Sequence, residues 1–186
     1  MEEKIVYFEK AGAGNTAAVL KLVKEAAQAK GIAKIVLAST RGATAKAAAA
    51  AFQETGVRMV VVPWQYGFGE QFGLGAQPFP QDDVTALQAQ GHRVYFGTML
   101  FHTETLYGSQ NPNALATILR IFGQGVKVCV EVLLMAANGG CVEHGERVIV
   151  VAGTGSGADT AIIATAAPSL ALSALRVHEI LCKPLQ

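Results

Sequence analysis

The sequence predicts an α/β fold of three layers, α/β/α, with a largely parallel sheet and a mixed edge, as a single domain over residues 1–186. Three observations predict it. Short β-branched runs alternate with longer runs of helical spacing through the first hundred residues. The strand runs are apolar at consecutive positions, as in strands covered on both faces. The last three strand runs are joined by stretches too short for crossover helices, so they mix the sheet's far edge.

Taken in order, "KIVYF" (4–8) is a strand and "NTAAVLKLVKEAAQAKG" (15–31) a helix. Val19, Leu22, Val23 and Ala26 recur at three and four residues on the latter; Asn15 or Thr16 can cap its start, and Gly31 suits its end. "AKIVLAS" (33–39) is the second strand, "ATAKAAAAAFQET" (43–55) the second helix, and "VRMVVVP" (57–63) the third strand, stopped by Pro63. "WQYGFGEQFGLGAQPFP" (64–80) has five aromatic residues and four glycines without a period, so it reads as a long loop, of the kind that serves as a lid or binding loop. A helix over 80–90 carries Asp82 and Asp83 in its first turn, and "HRVYFG" (92–97) is a short strand. Residues 98–112 are irregular and 113–123 form a helix ended at Gly123. "GVKVCVEVLLMAANGG" (125–140) has valines alternating like a strand, but its length and Gly-Gly ending predict a buried helix. Strands over 147–153, 160–167 and 176–184 close the chain.

Composition excludes several functions. Fifteen basic and fourteen acidic residues leave a net charge of +1, no field for gathering nucleic acid. The acidic start is not that of a secretory signal, and no apolar run reaches the ~18 residues of a membrane span, so a cytoplasmic protein with no membrane partner is expected. A charged content of 16% suggests a homo-oligomer. Cys129, Cys141 and Cys182 show no disulfide or zinc spacing and are expected to be reduced structural thiols; His92, His102, His144 and His178 show no metal spacing.

Three loops at the carboxyl edge of the strands could hold a ligand. In "STRGAT", Ser39, Thr40 and Thr44 offer hydroxyls, Arg41 a guanidinium, Gly42 close backbone approach, and Ala43 sits at the helix start where amides are free: the parts a phosphate requires, or else an ordinary helix cap. In "AGTGSGADTA" (152–161), Gly153, Thr154, Gly155, Ser156, Gly157, Ala158, Asp159 and Thr160 can form an anion-binding nest or a plain connection. "GAGNTA" (12–17) fits a dinucleotide fingerprint, and Ser39, Thr40 and Arg41 after strand 2 suit a ribose 2′-phosphate, so an NADP-dependent oxidoreductase is an alternative; Glu9, Lys10 and Ala11 delay its first glycine, unlike the usual immediate turn. Glu131 needs a partner inside its apolar helix, and Lys127, one turn earlier, is the expected one. No motif marks a catalytic residue.

"NTAAVLKLVKEAAQAKGIAKIVLASTRGATAKAAAAAF" resembles the start of the pyruvate kinase C-terminal domain, and "VIVVAGTGSGADTAIIATA" resembles its closing glycine-rich loop and strand. By that resemblance Ser39, Thr40, Gly42 and Thr44 match the phosphate loop of the kinases' allosteric sugar-bisphosphate site, and Gly155, Ser156, Gly157 and Thr160 match the later loop. The chain is shorter than the kinases between Gly153 and Gly155. From about residue 4 to 184, through "KIVYF", "KVCVEVLLMAANGG", "GSGADTA" and "EILCKP", it is similar to a family of stand-alone pyruvate kinase alpha/beta domain-like proteins. This resemblance implies the three-layer fold, no pyruvate kinase activity, and flavin mononucleotide (FMN) as the small phosphorylated ligand. Its phosphate would lie on "STRGAT" and its ring on the 64–74 loop, where Gly67 and Phe68 stand, with the second glycine loop at the ribityl or phosphate end and Asn15 and Thr16 hydrogen-bonding ring or ribityl oxygens. A flavin-dependent oxidoreductase is the other alternative, since the cofactor would carry the chemistry.

Overall fold

A computed structural model describes residues 3–185. Seven strands form one sheet: β1 (Val6–Phe8), β2 (Lys34–Ala38), β3 (Arg58–Val62), β4 (Arg93–Val94), β5 (Arg147–Ala152), β6 (Thr160–Thr165) and β7 (Arg176–Pro184). Their order is β1-β7-β6-β5-β2-β3-β4, and every pairing is parallel except those of β6, which runs antiparallel to both β5 and β7. The mixed part is thus one strand, third from the β1 edge, placed there because the short 153–159 connection can only double back.

Helices α1 (Thr16–Lys30), α2 (Ala43–Ala51) and α3 (Gln81–Ala89) cover one face. On the other face α6 (Gln124–Asn138) is central, flanked by α5 (Asn111–Arg120) and the single turn α4 (Glu104–Tyr107). The two-residue alternation of strand side chains divides the core accordingly. Ile35, Leu37, Met59, Val61, Ile149 and Val151 pack with α1 to α3, whereas Val36, Val60, Val62, Val148 and Val150 pack with α6. Alanines 45, 48 and 49 are the buried face of α2, a surface small enough to bring that helix close to the sheet.

The valine alternation in α6 is strand-like only on paper. Nearly the whole helix is buried, Val126 and Cys129 to Ala136 included, so it needs no polar stripe. The strand expected over 92–97 contracts to Arg93–Val94. Tyr95 still donates to the Val61 carbonyl, but Phe96 then turns edge-on to Tyr66 and Phe79 of the long loop, which removes it from the ladder. The second helix stops at Ala51, four residues early, and the irregular stretch contains α4. All three cysteines are free and buried; burial raises the Cys129 thiol well above its ordinary range and pushes Cys182 up to about 12, so both stay protonated. Among the described residues no helix is long and apolar enough to cross a membrane. Exposed apolar side chains concentrate on α4 and α5 (Leu106, Tyr107, Leu115, Ile118), continuing to Ile121 and Phe122.

The chain crosses from one face to the other between β4 and β5, then inserts β5 beside β2, with Leu37 opposite Val151. The helix after β2 and the helix before β5 lie on opposite faces, so the sheet has its switch point there. A crevice opens beyond the carboxyl ends of these two strands.

Candidate functional site

A cavity of about 350 Å³ occupies that crevice, within the range of small-molecule sites. One end is made by the loops after β2 and β5: Ser39, Thr40, Arg41, Ala43 and Thr44 from the first, Gly153, Gly155, Ser156 and Gly157 from the second. The sequence placed these loops at the same edge, and the β2–β5 pairing brings them face to face. Ser39 is buried and its hydroxyl accepts the Ala45 amide at 3.3 Å, so this serine stabilises the start of α2. The amides of Ala43 and Thr44 donate to nothing among the described residues. Helix α6 also begins at this edge, with Gln124 in the wall, so two helix N-termini direct positive potential at the cavity. Arg41 adds a guanidinium that forms no salt bridge among the described residues.

The loop after β3 supplies an apolar wall. Trp64 and Phe68 meet edge-to-face at 5.1 Å, and Phe72 tilts against both at 5.4 and 5.8 Å. The loop is built to hold them. The Gly67 amide donates to the Ala76 carbonyl, the Gln77 amide group donates to the Trp64 carbonyl at 2.9 Å, and Gly69 sits so near Gly75 that a Cβ would lie 2.4 Å from its carbonyl oxygen. Met99, Val128, Val132 and Met135 extend the apolar lining.

The floor toward α6 is polar. Lys127 and Glu131, 1% and 3% exposed, form an i,i+4 ion pair at 2.5 Å, the partnership expected from their spacing. The second Glu131 oxygen accepts the Phe101 amide at 2.9 Å and faces His102 Nδ1 at 3.1 Å. Burial alone would raise the Glu131 carboxyl, but the His102 hydrogen bond and the Lys127 charge together carry it below the ordinary glutamate value. Burial outweighs Glu131's attraction at Lys127 and lowers the ammonium. Lys127 also lies over the Phe101 ring, 5.4 Å from its centre.

The remaining predicted residues support the cavity without lining it. Asp159 is fully buried: one oxygen accepts the Gly12 amide at 2.8 Å and the Thr154 amide at 3.0 Å, and the other accepts the Thr160 hydroxyl at 2.8 Å. Thr16 donates to the Ala13 carbonyl and accepts the Ala158 amide at 3.0 Å, while Asn15 donates to the carbonyls of Lys10 and Gly12. The 12–16 turn is therefore a bracket for the second glycine loop. Gly67 is a turn residue outside the cavity. Gly42 is also outside it: its φ of 82° and a Cβ position 2.3 Å from an Asp83 carboxylate oxygen require glycine whatever is bound. Close approach of a ligand is not what selects it. His102, Gln124 and Met99 were missed, because single residues in irregular or terminal segments carry no spacing; Glu131, an acid in an apolar helix, was the one legible signal on that wall.

The family model described as pyruvate kinase, alpha/beta domain, matches residues 17–164, which include both loops of the cavity and all of α6.

Proposed function

This chain belongs to the pyruvate kinase alpha/beta domain family, and from that premise we propose that it binds FMN, anchored by its phosphate, in the cavity between the β2 and β5 loops. The observation that carries this reading is the pairing, in one cavity, of an anion cradle with an aromatic wall. The residues present fit the group. The Ala43 and Thr44 amides, the Thr44 and Ser156 hydroxyls and Arg41 would hold the phosphate, and Trp64, Phe68 and Phe72 would shelter the ring against Val128 and Val132. A bound flavin supplies two-electron redox chemistry through its own ring; the protein's part is to bind, orient and shield it. Asp159 and Thr16 keep the second glycine loop in place from behind. The reading is one of binding rather than of pyruvate kinase chemistry.

The test is an absorbance spectrum of the purified protein from 300 to 500 nm, mass analysis of what heat releases, and titration with FMN and with riboflavin. FMN should bind at least tenfold more tightly than riboflavin, ~1.4 kcal/mol, and Arg41→Ala should weaken FMN alone. Equal affinity for the two would remove the phosphate anchor from the reading. Anaerobic addition of NADPH or NADH to the flavin-loaded protein then decides between a binding protein and an oxidoreductase. A nicotinamide dinucleotide seated directly on the 12–17 turn would have to displace Asp159 from the Gly12 amide.

A further inference from the structure

The polar floor has a direction that the phosphate reading does not use. Glu131 is held as a carboxylate by Lys127, so both its oxygens are acceptors. One of them meets His102 Nδ1 at 3.1 Å, which requires that nitrogen to carry the proton. With the second nitrogen unprotonated, Nε2 is an acceptor. It has no hydrogen-bond partner among the described residues, the side chain is 25% exposed, and His102 lines the cavity with its ring edge-to-face on Phe68 at 5.2 Å. Lys127, Glu131 and His102 thus form a chain that ends on an oriented, unused acceptor beside the aromatic wall.

Helix α6 runs between this acceptor and the second glycine loop. Gly125, at the start of that helix, abuts Asp159 and Thr160 at the base of the second glycine loop. Glu131 lies six residues further along, about 9 Å at the helical rise. The loops follow the sheet order β5, β2, β3, so cradle and aromatic wall succeed one another along the edge.

We propose that His102 Nε2 accepts a hydrogen bond from an N–H or O–H group on the planar part of the ligand, at the end away from its phosphate, with Glu131 and Lys127 as positioning residues. The site would then select phosphorylated molecules whose flat body carries a donor at its far end. The inference rests on the FMN reading and assigns to His102 the one N–H of the oxidised flavin ring, N3–H.

Titration with FMN and with its N3-methyl analogue tests it. The wild-type protein should prefer FMN at least tenfold. His102→Ala should bind both alike, and His102→Gln, which keeps an acceptor, should restore part of the preference. Nitrogen-15 spectra of labelled histidine should show His102 protonated at Nδ1 in the free protein, with Nε2 shifting on addition of FMN but not of the methyl analogue. Glu131→Gln, whose amide can donate to Nδ1, should weaken that tautomer preference. If FMN binds the wild-type protein no better than the N3-methyl analogue, or His102 is protonated at Nε2, the proposal for His102 falls and the phosphate reading stands. If neither binds while the protein is folded, both fall.

Discussion

At the scale of single residues, the buried charges carry the sharpest expectations. Asp159 satisfies two amides and a hydroxyl in a fully buried position. Asp159→Ala would leave the Gly12 and Thr154 amides without acceptors, a loss of about 2–4 kcal/mol in urea denaturation; Asp159→Asn, which keeps an acceptor, should lose less. Glu131 and Lys127 behave as a unit. Removing either alone strands the other charge in the interior and should cost about 3–5 kcal/mol, whereas Lys127→Met with Glu131→Leu should recover most of it. The pH dependence follows from Glu131, whose folded-state carboxyl is lowered from 4.5. A lowered acid contributes stability that is fully present above its unfolded value and is lost as pH falls through its folded value. The wild type should therefore lose stability faster than the double variant below about pH 4.5, and parallel curves would deny the pair that role.

At the scale of elements, the turns separate backbone requirement from packing. Gly31 and Gly42 both have positive φ, but a Cβ at Gly31 meets nothing within 4 Å, while one at Gly42 collides with Asp83 of α3. Alanine at Gly31 should cost about 1 kcal/mol, and alanine at Gly42 measurably more in the same denaturation assay; equal losses would mean that Asp83 yields freely. Gly69 is the converse, with an ordinary φ of −70° and a Cβ position on the Gly75 carbonyl. Gly69→Ala should open the 64–79 loop, seen as faster amide exchange there with α1 and β5 unchanged. How much was legible follows the same division. Helix α1 announced itself by apolar spacing, the strands by consecutive apolar and β-branched residues, α2 by its alanine run, and the two loops by their hydroxyl and glycine content. The contraction of β4 was not legible, because it depends on where Phe96 finds aromatic neighbours from residues 66 and 79. Gly42 was legible as a glycine but not in its cause, since Asp83 is some forty residues away. Asn15, Thr16 and Asp159 were placed at the correct edge, yet sequence cannot tell a group facing the cavity from one holding its wall.

At the scale of the whole molecule, the cavity joins parts that the fold otherwise keeps separate. Its walls come from α2 and the β2 loop on one layer, α6 on the other, and the β3 and β5 loops at the sheet edge. A ligand that touches all of them binds the folded chain and not the unfolded one. At a free concentration one hundred times its dissociation constant it should add about 2.7 kcal/mol to the stability of the whole. For a chain of this size that is a rise of roughly 5–11 °C in the midpoint of thermal unfolding. The distribution of the gain distinguishes this site from others. FMN bound across both layers should slow amide exchange in residues 40–44, 64–72, 124–132 and 153–157 together, since all four line the cavity. A ligand resting on the 12–17 turn would protect that turn and the start of α1 while leaving α6 and the aromatic loop as they were. Protection of the four segments with no change at the turn is the expected pattern, and the reverse pattern would move the site to the other side of Asp159.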